Sequence, residues 1–211
     1  MHVEQNRSKG EDRQGGSGGR PGPAGPLLAV LDLGTNNCRL LIATTSARGG
    51  FRVVDSFSRI VRLGEGVGAS GLLSDCALDR TIAALKICAD RIARHKVKHV
   101  RVIATQAARL ASNADLLVAR ARDEAGLNLE VISTGEEAEL AAEGCAPLIG
   151  RRYKGALLFD IGGGSTEMSW LAKSPSGPLK KLTASVPVGV VSLAEGYGDR
   201  SRGRAGFEAM C

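Results

Sequence analysis

Asp32 in LAVLDLGTNNCRLLI (Leu28–Ile42) and Asp160 in LLFDIGGGSTEMSWL (Leu157–Leu171) each close an apolar run, and their types and surroundings are those of a ligand-gripping turn. After each aspartate come one apolar residue and a glycine, then small polar residues, then a second apolar run. The pattern predicts strand, tight turn, strand. Glycine lets the backbone approach a ligand closely and aim N–H groups at it, and short hydroxyl and amide side chains add donors without bulk. Gly34, Thr35, Asn36 and Asn37 fill these roles in the first stretch, and Gly162, Gly163, Gly164, Ser165 and Thr166 in the second. Phosphate suits such a turn. Two copies in opposite halves of the chain point to a duplicated lobe that clasps one polyanion from both sides. The plainer alternative is that the aspartates make ordinary Asx turns and that Gly162–Gly164 is only a flexible hairpin.

Two carboxylates facing one phosphate chain would repel it, so a magnesium ion (Mg2+) is expected to bridge carboxylate and phosphate oxygens. Asp160 is the expected metal ligand, with Glu167, seven residues on, completing the site through water. A second acidic group lies in STGEEAE (Ser133–Glu139), at the start of an expected helix directly after a strand. Carboxylates are stabilising in a helix's first turn whatever their function, and that account suffices for Glu136 and Glu139. Glu137 is singled out because the carboxyl end of a strand in an open α/β sheet is where ligands bind. Arg109, in the polar turn TQAAR, offers a guanidinium that can fork onto phosphate. His95 and His99 have the i, i+4 spacing of a metal pair, but a strand is expected to begin between them and no carboxylate completes the set.

The elements that must position these residues follow from the apolar pattern. Residues 1–26 are Gly, Pro, Arg, Ser and Glu with almost nothing apolar, and are expected to be a disordered tail. Strands are expected at Leu27, at Arg39–Thr44 and at Phe51–Leu63, before the glycine-rich Gly64–Gly71. Ser74 and Asp75 offer an N-cap to an amphipathic helix carrying Leu78, Ile82, Leu85, Ala89 and Ile92 on one face. A strand at His99–Ala104, a helix at Ser112–Ala125, a strand at Leu129–Ile132 and a helix at Glu136–Leu148 complete the order βββαβαβα. This is an α/β fold with a mixed, ribonuclease-H-like sheet, a full first lobe over 27–150. A second lobe begins in 151–211 with the second strand-turn-strand and a strand at Leu179–Val186. After Val188–Glu195 the sequence turns too polar and too short for a complete second lobe, and an irregular C-terminal tail is expected.

With 43% apolar residues the chain can bury a sizeable core, and its scarce aromatics leave that core to Leu, Val, Ile and Ala. The net charge of +6 is spread through the sequence, with no basic stripe interleaved with aromatics, so no nucleic-acid partner is expected. Five scattered cysteines with no metal spacing read as reduced thiols, no apolar run approaches the roughly 18 residues of a membrane span, and the expected setting is the cytoplasm.

In this order, LAVLDLGTNNCRLLI, IATQAAR, VISTGEEAEL, LLFDIGGGSTEMSW and SVPVGVVSLAE resemble the exopolyphosphatase and guanosine pentaphosphate phosphatase (Ppx/GppA) family of the actin-like ATPase superfold, from about Leu27 to Glu195. The resemblance implies hydrolysis of terminal phosphoanhydrides of inorganic polyphosphate or guanosine pentaphosphate, with Glu137 as the catalytic glutamate. It also implies Asp32 with the TNN turn as one phosphate loop and Gly162–Thr166 as the other, Asp160 and Glu167 at the metal, and Arg109 reaching the phosphate chain. A chain that stops early in the second lobe is expected to expose strand edges and to favour pairing, a homodimer being one form of it. Competing expectations are a fragment that binds polyphosphate without cleaving it, and an ATP-dependent kinase or chaperone-like ATPase of the same superfold.

Overall fold

The computed structural model describes residues 25–45, 50–150, 152–172, 180–198 and 203–210. Of the expected tail, residues 1–24 lie outside the described residues. The strand β1 (Leu27–Leu33) buries Ala29, Leu31 and Leu33 on one face and carries Asp32 on the other. It pairs antiparallel with β2 (Asn37–Thr45), which pairs antiparallel with β3 (Phe51–Ile60). On its other side β1 pairs in parallel with β4 (His99–Ala104), and β4 with β5 (Leu129–Val131), so the sheet order is β3-β2-β1-β4-β5. Parallel neighbours need crossovers. The helices α2 (Asp75–Arg94) and α4 (Ala114–Ala125) provide them and pack on each other.

Ser74 starts α2, its Oγ accepting from Ala77 N at 3.3 Å. Leu78, Ile82, Leu85, Cys88 and Ile92 recur at helical spacing and are buried against the apolar face of β1 and β2. Full burial of one such leucine or isoleucine stabilises by about 1.5–3 kcal/mol, so this face fixes the sheet that carries Asp32.

The described structure departs from expectation where local contacts override the pattern. β3 ends at Ile60 rather than Leu63, because the amides of Val61 and Arg62 both turn to the Asn36 carbonyl, at 2.9 and 3.0 Å, with Arg62 at φ 49°. Within the glycine-rich stretch lies one helical turn, α1 (Val67–Ser70), between Gly66 and Gly71 at positive φ. TQAAR, expected as a turn, is mostly the short helix α3 (Gln106–Leu110), whose Ala107 and Ala108 are buried and whose Arg109 amide reaches the Thr105 carbonyl at 3.1 Å. Alanine and arginine are strong helix formers, and packing of the two alanines selects the helix. The α4 helix starts at Ala114 because the Asn113 side chain is held by both backbone groups of Leu73. His95 and His99 share no helix face: His95 closes α2 with its Nε2 3.2 Å from Asp55 Oδ2, and His99 opens β4.

The helix α5 (Thr134–Cys145) leads into a second, antiparallel sheet of β6 (Gly155–Ile161), β7 (Thr166–Ala172) and β8 (Lys180–Val186), against which it packs. Beyond it lies α6 (Val190–Tyr197), and within the stretch expected as an irregular tail the described residues form α7 (Arg204–Met210). Arg204 and Glu208, one turn apart at 2.8 Å, help α7 form where composition alone reads as polar tail. No helix among the described residues is long and apolar enough to cross a membrane.

Gly64 illustrates how tightly the first turn is held. Its amide donates to the Thr35 carbonyl at 2.9 Å, and a Cβ there would lie 2.3 Å from Thr35 Cγ2. Thr35 is buried and β-branched, so its methyl cannot rotate away freely. Gly64→Ala is expected to cost about 1–3 kcal/mol in urea unfolding. Adding Thr35→Ser, which removes Cγ2, should return most of that stability; an additive double mutant would show that this contact is not the cause.

Candidate active site

The two hairpins are built alike. In the first, Gly34 N donates to the Asn37 carbonyl at 2.9 Å; in the second, Gly162 N donates to the Ser165 carbonyl at 2.8 Å. Cross-strand register is also shared, Asp32 standing opposite Arg39 and Asp160 opposite Glu167. Paired residues of antiparallel strands lie on one face. The duplicated device therefore presents an aspartate with a cation from one lobe and an aspartate with a carboxylate from the other.

Both turns face one cleft of about 220 Å³, lined by Asp32, Gly34, Thr35, Asn36, Asn37, Arg39, Thr105, Gln106, Glu137, Asp160, Ile161, Gly162, Gly163, Gly164, Ser165 and Val190. They touch: a Cβ on Gly163 would lie 2.9 Å from Thr35 Cβ, and one on Gly164 would lie 3.1 Å from Thr35 Oγ1. The carbonyls of Gly162 and Gly163 accept from Val190 N at 3.0 Å and Val191 N at 2.7 Å, both in the first turn of α6. Because each peptide is planar and trans, the amides of Gly163 and Gly164 point the other way, away from α6. That leaves N–H groups for an anion.

Glu137 enters the cleft from the first turn of α5, which Ser133 caps by accepting the Glu136 amide at 3.1 Å. Its neighbours in STGEEAE go elsewhere: Glu136 pairs with Arg101 at 2.5 Å, and Glu139 is exposed. Arg109 does not line the cleft. Its Nη1 donates to the Ile132 carbonyl at 3.0 Å, its Nη2 donates to Gln106 Oε1 at 2.9 Å, and the same Nη2 lies 2.7 Å from Glu137 Oε2. This last contact is an ion pair without hydrogen-bond alignment, so the buried Oε2 retains an unused acceptor. Arg109 thus reaches the site through Glu137 and Gln106. Thr166 also stands back from the cleft, its hydroxyl donating to the Val188 carbonyl at 2.7 Å. Glu167, opposite Asp160, is buried and not among the residues lining the cleft, and it accepts from Ser185 Oγ at 2.9 Å.

The electrostatics confirm that acids converge. Burial pushes the Asp32 carboxyl up from its ordinary range, Arg39 partly offsets this, and Asp160 raises it further. Burial likewise pushes Glu137 up; Arg109 opposes, while Glu167 and Asp32 add to the rise. Among the described residues no group of three or more His, Cys, Asp or Glu forms a ready metal cage. Arg39, Thr105 and Gln106 are cleft residues that sequence reasoning passed over. Arg39 was within reach of it, since the seven-residue step that links Asp160 to Glu167 also links Asp32 to Arg39.

A carboxylate held by an arginine, aimed between two phosphate-type turns, can position or deprotonate a water next to a bound phosphoryl group. Comparison with known proteins agrees with that chemistry. The model of the Ppx/GppA phosphatase family matches residues 41–202. Over 149 residues the chain is 41% identical to Exopolyphosphatase 2 of Mycobacterium tuberculosis, covering 67% of this chain and 47% of that protein. The chain spans about half the length of the curated relatives it matches. Among solved structures, an exopolyphosphatase-like protein superposes with a TM-score of 0.78 at 30% identity, covering 88% of this chain and 58% of the other. The Aquifex aeolicus member of the Ppx/GppA family does so with a TM-score of 0.68 at 31% identity, covering 83% and 55%. The shared architecture is the actin-like α/β fold.

Proposed function

The chain belongs to the Ppx/GppA phosphatase family, and from that premise we propose that it hydrolyses the terminal phosphoanhydride bond of linear inorganic polyphosphate, releasing orthophosphate. The observation that carries this reading is Glu137, half-buried in the wall of the cleft where the two hairpin turns meet. Backbone amides of the second turn and the polar side chains of Thr35, Asn36 and Asn37 bind and orient the terminal phosphoryl group. Arg39 offsets charge along the chain. Glu137, fixed by Arg109, holds the attacking water in line with the scissile bond and accepts its proton. Positioning and charge neutralisation supply most of the rate, as phosphoryl transfer requires.

The donor set fits a magnesium ion shared with substrate. Asp32 and Asp160 bring two mutually repelling carboxylates to the cleft, which a hard cation would relieve, and Mg2+ is held by one or two carboxylates together with substrate phosphates rather than by a complete protein cage. Asp160 and Asp32 would hold it, with Glu167 opposite Asp160; when bound, it would neutralise phosphate charge.

The test is phosphate release from long-chain polyphosphate and from guanosine pentaphosphate with magnesium present. Faster release from polyphosphate is expected. Preference for the nucleotide would replace the substrate assignment by the guanosine pentaphosphate one, and tight polyphosphate binding with no release from either would make the chain a binding module. ATP binding in a titration, without release from either substrate, would favour the kinase or ATPase reading.

A further inference from the structure

The segment Val188–Glu195 lends Val190 to the cleft wall and is bonded to the second turn at one end and to the first lobe at the other. At one end, Gly189 is packed against the second turn: a Cβ there would lie 2.5 Å from Gly163 C and 2.6 Å from the carbonyl oxygens of Gly162 and Gly163. Its backbone, at φ −140° and ψ 178°, is one that any residue adopts, so glycine is required here for space and not for conformation. Gly189 is itself held in place, its amide donating to Ser192 Oγ at 2.8 Å, and the preceding Val188 carbonyl accepts from the Thr166 hydroxyl. From this anchor the first amides of α6 reach the Gly162 and Gly163 carbonyls. At the far end of the same helix, Glu195 Oε1 accepts from the Gly66 amide of the first lobe at 3.0 Å. Gly66 lies two residues beyond Gly64, whose amide is bonded to the Thr35 carbonyl in the first turn.

We propose that α6 is a brace that sets the spacing between the two phosphate turns, with Gly189 and Glu195 as its positioning residues. One end of the helix grips the second turn through Gly162 and Gly163. The other end is latched to the segment that holds Thr35 in the first. A rigid helix fixed at both ends converts two hairpins on separate sheets into one receptor of defined width. Its kinetic consequence rests on the proposed phosphatase reading, whereas its geometry does not.

The test compares Glu195→Ala with Glu195→Gln, whose amide oxygen can still accept from Gly66 N. Two readouts are used in the full chain: hydrogen exchange of the Gly66 amide, and KM and kcat for release from inorganic tripolyphosphate. Glu195→Ala is expected to speed Gly66 exchange and to raise KM roughly five- to tenfold, the scale of one ordinary exposed hydrogen bond. Glu195→Gln should recover most of both. Gly189→Ala, where it folds, should raise KM at least as much with Gly66 exchange little changed, because it disturbs the opposite end. Unchanged Gly66 exchange in folded Glu195→Ala overturns the latch, and faster exchange with unaltered KM overturns its link to the site. If the parent releases no phosphate, the proposed function has failed; the Gly66 exchange then decides the latch by itself, with tripolyphosphate affinity in a titration replacing KM.

Discussion

Glu137→Gln is expected to lower phosphate release by roughly 10²–10⁴-fold at pH 7 while leaving polyphosphate binding largely intact. Glutamine keeps the shape and can still orient a water, but it cannot take a proton at the attacking oxygen. The same substitution should raise the melting temperature near neutral pH. Burial, Glu167 and Asp32 lift the Glu137 acid above its ordinary pKa despite Arg109, so the folded protein favours the neutral form. A group raised in this way contributes stability that is fully present below the unfolded pKa, around 4.3, and lost as pH rises through the higher folded value. At pH 7 the parent therefore carries the disfavoured carboxylate, and the neutral glutamine relieves it. The stability gain should shrink as pH falls below the ordinary carboxylate range. The acid limb of the parent's kcat profile should lie above that range too, since the base must be ionised to act. A variant with unchanged turnover would remove Glu137 from the proposed role, and one whose melting temperature falls at pH 7 and not at pH 4 would show that the Arg109 pair outweighs burial.

Gly163→Ala should reduce kcat/KM by about 10²-fold with a smaller effect on folding. Its Cβ would meet Thr35 Cβ at 2.9 Å and Val191 Cγ2 at 3.3 Å, one contact in the first turn and one in α6. Neither neighbour is the far end of a flexible side chain, and relief must come from the two turns moving apart. Displacement of a positioning group by about 1 Å is enough for a loss of that size. Gly164→Ala makes the informative control: its closest neighbour is Gln106 Cγ at 2.8 Å, on a side chain that can shift, and a milder loss is expected. Measuring kcat/KM for both checks the argument, and equal losses, or none for Gly163→Ala, would refute it.

Much of the first lobe was legible in one dimension because its signals are local. Leu78, Ile82, Leu85 and Ile92 repeat at 3.6-residue spacing whatever surrounds them, and the turns at Gly34 and Gly162 announce themselves by residue type. The α3 helix was not legible, since five residues of TQAAR are too few for a periodic signal and the burial of Ala107 and Ala108 decides them. The α7 helix was hidden for a related reason: glycines and charges dominate the stretch after Glu195, and propensity is a weak prior beside tertiary contacts.

From residue order alone came the duplicated Asp-x-Gly hairpins, the acidic helix start at Glu137 and the alternation of strands and helices, all set by interactions within a few residues along the chain. Only the folded arrangement decided that Arg109 grips Glu137 while Arg39 faces the cleft, that Thr166 turns to Val188, and that Glu195 reaches Gly66. The reason is physical. A side chain's partner is chosen by which surfaces burial brings together, and residues far apart in sequence carry no local mark of that meeting.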